Sequence, residues 1–453
     1  MARHRGHAAT EGPQPDRHGD RSRQLQNRCR RRQGHRRGAP VRGLQRASPL
    51  PGVQRAEPSA WRRNLAVCIF GSFTTVLGMT VLIPFLPFYV EELGVHGHAA
   101  IVEWSGLIFA ASFLASGLAA PLWGRFADRY GRRLILIRAA LGMAVCIALA
   151  GCVQTIWQLL GVRLLTGLLG GYGSGATILV ATATPKERSG WALGMLSSGI
   201  MAGGLVGPLV GGVLPEAIGI RATFLAVGGV IFIAFVATVL WVEEPRRDAT
   251  RTTVSRPWAQ VPDRRLVGGL LTTGALVTLA TFSIEPIVTV YIARLAGPGA
   301  HVTLLAGLAM SATAFGAAVA APRVGRLTDR HGARPVLIAS LLATSLTLVV
   351  QALVTSGWQL VGLRLLMGVA VAGILPAVTG AIRHAIPSHV AGSILALNTS
   401  ALAAGQVLGP LLGGFVGAHL GLRVVFAATA LVTLAGAAMI GRLPRLDRSA
   451  GGP

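Results

Sequence analysis

Twelve times along this chain an apolar run long enough to cross a bilayer gives way to a short polar turn, and few folds survive that constraint. Inside hydrocarbon every backbone polar group must find its partner within the segment or in a closed barrel, so runs of this length predict helices. They cover 65–90, 105–123, 134–153, 158–181, 191–213 and 223–242, then 266–292, 304–321, 336–354, 359–381, 393–418 and 424–439. Half the residues are hydrophobic (52%) and only 13% are charged, the balance of a polytopic membrane protein. The expected fold class is therefore all-α, with twelve transmembrane helices.

The second six runs repeat the first. WQLLGVRLLTG at 157–167 matches WQLVGLRLLMG at 358–368, and GRFADRYGRR at 124–133 matches GRLTDRHGAR at 325–334, an offset of 201 residues. Pro84 and Tyr89 match Pro286 and Tyr291 at an offset of 202. Two parallel six-helix repeats related by an axis along the membrane normal are a transporter architecture, with the substrate site between the halves near the midplane. The expected division is a basic extension (1–60), a six-helix bundle (61–242), a linker (243–265), a second bundle (266–440) and a tail (441–453).

The net charge of +25 invites a nucleic-acid reading, but its placement opposes one. Fourteen arginines and four acids fall in residues 1–60, a stretch without apolar period and expected to be disordered. Such a tail could touch anionic lipid or RNA, or be an extension of the kind that GC-rich DNA encodes. Most other basic residues lie in alternate loops, after runs 2, 4, 6, 8 and 10 and at the end of the chain. By the positive-inside rule both termini and the linker are expected to be cytoplasmic, and the expected location is the inner (plasma) membrane. Cys29, Cys68, Cys146 and Cys152 lack metal-like spacing. A soluble enzyme is disfavoured, since no Ser/His/Asp set, phosphate loop or metal cluster stands out.

Four groups of residues point to chemistry or movement. In run 5, Gly203, Gly207 and Gly211 recur every four residues and make a smooth strip on a helix, on which another backbone can lie. Gly194 precedes the strip, Gly212 flanks it, and Pro208 within it predicts a kink. Run 11 repeats the pattern with Gly409 and Pro410. In the loop after run 2, Gly124, Asp128, Arg129, Gly131, Arg132 and Arg133, echoed by Asp329 and Arg330, can form a charge network that pairs with a helix end and latches one conformation. Solvated positive charge that only sets topology is the alternative.

Arg163 and Arg364 stand inside runs 4 and 10, where an arginine either faces a cavity or an acid, or snorkels to the headgroups. Arg138 in run 3 is expected to snorkel. Glu285, beside Pro286 in run 7, is the one acid or histidine well inside an apolar run, and the sequence alone gives it no partner. Desolvation would favour its neutral form and suit it to carrying a proton, unless it merely faces a wet vestibule.

On these motifs the chain resembles the major facilitator superfamily, and within it the twelve-span drug:proton antiporters of the MdtG type, over about residues 61–440. The charged loop fits the superfamily's motif A, and Arg163 with Gly167 fits motif B. Gly194, Gly203, Gly207, Pro208, Gly211 and Gly212 fit motif C, the antiporter signature, and Gly78, Pro84 and Pro87 fit the span 1 motif of twelve-span drug exporters. The resemblance implies export of drugs or other lipophilic small molecules in exchange for protons, by alternating access. Arg163 and Glu285 would serve proton coupling, driven by the proton gradient with no other cofactor. It implies no nucleic-acid partner, a monomer in the lipid bilayer and no enzymatic activity. A proton-coupled importer or a sugar or metabolite exporter could share the fold, but would be expected to lack the full motif C. One departure stands out: some relatives place an acid in run 1 opposite the motif B arginine, and run 1 has none before Glu91.

Overall fold

The computed structural model describes residues 60–244, 257–297 and 300–443, apart from the side chains of Asp128 and Pro257, and its regular structure is all helical. Twelve segments are long and apolar enough to span a membrane. Spans 1–6 are Ala60–Glu92, His98–Ala127, Arg132–Ala150, Ile156–Ala183, Lys186–Ile218 and Ile220–Trp241. Spans 7–12 are Arg264–Leu295, Val302–His331, Ala333–Ala352, Gly357–Ala385, Ala391–His419 and Leu422–Arg442. Most of the basic extension, the linker centre and the C-terminal tail lie outside the described residues. Successive spans alternate in direction. Odd spans begin, and even spans end, at the side from which the linker departs, called here the linker end; the other side is the far end.

Three spans depart from the single helices that the apolar runs predict. Span 1 is a helix over Ala60–Thr80, a 3-10 turn over Ile83–Phe85 and a short helix over Leu86–Glu92. Pro84 offers no N–H to the Thr80 carbonyl, so the α-helix stops at Thr80, and Pro87 stands in the first turn of the helix that restarts at Leu86, where no N–H is needed. Span 7 carries Thr289 where span 1 has Pro87, so Pro286 alone is tolerated within the unbroken helix Arg264–Leu295. Pro208 likewise lies inside an uninterrupted helix, Ser189–Ile218.

Spans 4 and 10 break midway, at Gly170–Gly171 and at Ala372–Gly373. At the first break Arg138 does not snorkel as expected. Its guanidinium donates to the Leu168 and Gly170 carbonyls at 3.3 and 3.0 Å and lies 3.5 Å from the centroid of the Trp123 ring. The Trp123 indole donates to Leu168 as well, at 2.7 Å. The freed carbonyls thus gain charged and aromatic partners, which hold the Arg138 side chain at the break.

Burial divides the molecule into one shared core and two separate ones. The far-end core takes side chains from both halves, among them Phe85, Tyr89, Ile108 and Phe224 with Ile284, Tyr291 and Phe426. Tyr89 and Tyr291 anchor it alike, each donating to a carbonyl at the far end of the third span of its half: Ala150 at 2.6 Å and Gln351 at 3.1 Å. At the linker end one core is built only from spans 1, 3, 4, 5 and 6, and the other only from the linker's last turn and the second half. The halves therefore join at the far end, and the cleft between them opens toward the linker end. They touch along two seams, span 2 against span 11 and span 5 against span 8.

Candidate functional site

Glu285 and Arg364 form the centre of the candidate site. Glu285 Oε1 lies 3.7 Å from Arg364 Nη1, with the arginine side chain fully buried and the carboxylate 16% exposed. The sequence named no partner for Glu285, and of the two readings it left open for Arg364, an acid or cavity against the headgroups, the structure places an acid beside it. An arginine this deep is held by its counter-ion, since solvating it in apolar surroundings otherwise costs several kcal/mol. At 3.7 Å the pair attracts without a hydrogen bond, and Arg364 Nε, Nη1 and Nη2 have no hydrogen-bond partner among the described residues. Three more buried polar atoms in the second half share that condition: Thr289 Oγ1 one turn beyond Glu285, Gln351 Oε1, and Asn398 Oδ1 of span 11. Gln351 Nε2 instead faces the sulfur of Met367 at 3.5 Å, one turn beyond Arg364. Such a pair can exchange its partner, for a proton or for a charged ligand group, without first breaking a network.

The first half lacks the acid. Arg163 is 1% exposed, so it too is inside the bundle and does not snorkel. Its Nε and Nη1 have no hydrogen-bond partner among the described residues. Its own carbonyl accepts from Ser112 at 3.0 Å, and Gly167 one turn on lies against the Ser112 backbone, which fixes span 4 on span 2. The residue equivalent to Glu285 is Ile83, in the turn that breaks span 1.

Phe282, a turn before Glu285, joins the halves together with two phenylalanines of span 2. Phe282 of span 7 meets Phe109 and Phe113 of span 2, with ring centroids 6.1 and 5.2 Å apart, and Phe109 meets Phe113 at 5.3 Å. Nothing in the sequence separates them from lipid-facing aromatics such as Phe232; only the fold brings them together.

The glycine strip is a contact surface. Gly203, Gly207 and Gly211 lie on the span 1 backbone at Phe73, Leu77 and Val81, with Thr80 Oγ1 against Gly207, and Gly78 of span 1 receives Ile231 of span 6. Gly212 crosses to the other half and meets Thr303, Leu304 and Gly307 of span 8. The repeat does the same, with Gly409 on Leu279 and Ser283 of span 7 and Gly414 on Val102 and Gly106 of span 2. The Pro208 and Pro410 carbonyls point at Gly307 and Gly106, where a side chain would collide with them. Gly194 is exposed with open space beside it, so the strip's packing does not extend to it.

In the loop between spans 2 and 3, Gly131 turns the chain at φ 101°, as Gly332 does at φ 87° in the second half. Arg132 donates to Ile178 O at 3.2 Å and Thr182 Oγ1 at 2.9 Å, at the C-terminal end of span 4, and Arg133 donates to Val239 O at 2.7 Å, at that of span 6. Glu244, at the start of the linker, accepts from the N–H groups of Arg132 and Arg133 at 2.8 and 3.4 Å and so sits on the positive end of span 3. Arg63 pairs with Glu243 beside it. Sequence reasoning missed Glu244, because a lone acid after an apolar run carries no signal. These contacts tie the loop to its own half. The Arg129 guanidinium lies 5.3 Å from the Tyr130 ring centroid, Gly124 has open space beside it, and Asp329 and Arg330 are exposed. The Asp128 side chain lies outside the described residues.

The family model of the Major Facilitator Superfamily matches residues 68–304 and 270–452. The chain belongs to that superfamily. It is 42% identical over 387 residues to the multidrug resistance protein MdtG of Enterobacter lignolyticus (strain SCF1), covering 85% of this chain and 93% of the relative. MdtG of Serratia proteamaculans (strain 568) is 43% identical over 377 residues, covering 83% of this chain and 92% of the relative. Among solved structures, the inward-facing, unoccupied form of a bacterial homologue of the human lysosomal transporter Spinster superposes with a TM-score of 0.68 at 16% identity, covering 85% of this chain and 97% of that one. The nucleoside transporter NupG gives a TM-score of 0.68 at 14% identity, covering 84% and 99%. The superfamily's fold accounts for the twelve spans in two repeats, and the chain is a multi-pass membrane transporter of this superfamily.

Proposed function

We propose that this transporter exports drug-like, lipophilic small molecules across the inner membrane in exchange for protons, with Glu285 as the group that takes and releases the proton. The observation that carries the reading is the Glu285–Arg364 pair, a half-buried carboxylate beside a fully buried guanidinium between apolar spans. Among the described acids it is the one placed inside a span rather than at its ends. The linker end, with its arginines, faces the cytoplasm, so both termini are cytoplasmic. The cleft then opens inward, to substrates from the cytoplasm and the inner leaflet.

In this mechanism the halves rock about the two seams. With the far end open, Glu285 takes a proton and lets go of Arg364 and of bound substrate. With the linker end open, the proton leaves and substrate enters. Arg163 assists as the cation of the first half, and the loop between spans 2 and 3 latches the linker end when it closes. The chain works as a monomer, without a metal or organic cofactor. The names of the MdtG relatives and the glycine strip support the exporter reading.

Everted membrane vesicles holding a proton-sensitive dye test it. Addition of a substrate should release protons in the wild type, and Glu285→Gln, at equal membrane level, should abolish that release. Proton release by Glu285→Gln at the wild-type rate would move the coupling site elsewhere.

A further inference from the structure

Span 5 lies on span 1 from Gly199, which meets Ile69, to Gly211, which meets Val81. Toward the linker end the two spans part, and Gly190 and Gly194 have open space beside them. The wedge between the spans is a cavity of about 650 Å³. Its rim is Trp61 and Arg62 from the first turn of span 1 and Arg188 and Trp191 from the start of span 5. Leu65 and Ile69 line it deeper along span 1. Neither the Arg62 nor the Arg188 guanidinium has an ion-pair or hydrogen-bond partner among the described residues, whereas Arg63, next along, pairs with Glu243. The Arg62 guanidinium lies 5.5 Å from the Trp61 ring centroid, and Trp191 is 60% exposed. The helix Ser189–Ile218 also starts here, with no side chain capping its first N–H groups.

We propose that this wedge binds an anionic phospholipid, its headgroup phosphate between Arg62 and Arg188 and an acyl chain along Leu65 and Ile69. Each part of such a lipid meets matching chemistry. Guanidinium groups donate to phosphate oxygens in a planar fork, and an uncapped helix start adds positive potential beside them. Tryptophan rings settle at headgroup level, with one end apolar and the other wet. From there the apolar floor runs inward to Ile69, where Gly199 closes the wedge, so an acyl chain has a path into the bilayer. A small soluble anion leaves that floor unmatched, and a zwitterionic lipid brings its own cation beside the phosphate. The chain's own N-terminal extension carries the wrong sign, with fourteen arginines against four acids in residues 1–60.

The repeat does not duplicate the site. At an offset of 202 residues, Asp263 stands for Trp61, Val390 for Arg188 and Ser393 for Trp191. Beside Val390, His389 Nε2 lies 2.8 Å from Gln260 Oε1 of the linker's last turn. One lipid, held by the first half alone, is therefore the expected stoichiometry.

The test needs neither transport nor a known orientation. Full-length protein is placed in bilayers of phosphatidylglycerol and phosphatidylcholine made twice, with bromine on the acyl chains of one lipid and then of the other. Tryptophan quenching is read with and without Trp61→Phe/Trp191→Phe, and the difference isolates the two rim tryptophans. It should favour phosphatidylglycerol by about five-fold for one arginine engaged and about thirty-fold for both. In Arg62→Gln/Arg188→Gln the preference should fall below two-fold. Arg383→Gln/Arg442→Gln removes as much charge from the linker end of the second half and should leave the preference unchanged. Inorganic phosphate, compared with sodium chloride at equal ionic strength, should not displace the lipid. No preference in the wild type, an undiminished preference in Arg62→Gln/Arg188→Gln, or an equal loss in Arg383→Gln/Arg442→Gln would overturn the proposal. Displacement by phosphate would assign the wedge to a soluble anion and overturn it too.

Discussion

Arg364 sharpens what Glu285 can be. Replacing it with glutamine leaves a carboxyl that can neutralise itself by taking a proton, whereas Glu285→Gln strands a fully buried guanidinium that stays charged, and breaking a buried pair from that side costs about 3–5 kcal/mol. Glu285→Gln should therefore lower the thermal midpoint in detergent more than Arg364→Gln does. The double variant should recover much of that stability while remaining uncoupled. Recovery of coupling in the double variant would show that the pair is structural only. Glu285 was visible in the sequence because an acid inside an apolar run is conspicuous. Its partner was not, because contact between spans 7 and 10 is a property of the packed bundle. Phe109, Phe113 and Phe282 were invisible for a plainer reason: an aromatic at a seam and one facing lipid obey the same hydrophobicity.

Among the elements, span 5 offers an internally controlled experiment. Gly207→Leu places a side chain where Leu77 and Thr80 of span 1 already stand, whereas Gly194→Leu projects into open space. Both should insert in the membrane, with export lost in the first and retained in the second; equal export by the two, measured as drug resistance at matched membrane levels, would dissociate the strip from function. At the other end of the first half, Glu244 sits on the positive end of span 3. Glu244→Gln should cost about 1 kcal/mol or less, seen as a small fall in thermal midpoint with substrate affinity intact. Asp128→Asn, in the same loop, is expected to slow turnover without weakening substrate binding, and a large loss of affinity would reverse that assignment. Element boundaries show where patterning stops informing. Apolar runs announced twelve spans but not the breaks in spans 1, 4 and 10, because hydropathy is blind to whether a backbone ladder continues. Pro84 and Pro87 were the available clue for span 1, and it is their pairing, absent around Pro286, that decides the break.

For the whole molecule, the twin architecture was legible from the internal repeat, while the state of the cleft was not, since one sequence serves every position of the halves. Deleting residues 1–52 should leave membrane insertion and resistance unchanged, because that stretch has the composition of a solvated tail; a loss of either in the truncated chain would give it a role. The glycine seams bear on how fast such a machine can run. Where Gly212 meets Gly307 and Gly414 meets Gly106, backbone slides on backbone with no interlocked side chains between them. Friction in a protein comes largely from rotamers that must unlock together, and a contact with none behaves like a plain bearing. A larger residue there would strike the facing backbone, so it would lift the bearing off its seat as well as roughen it.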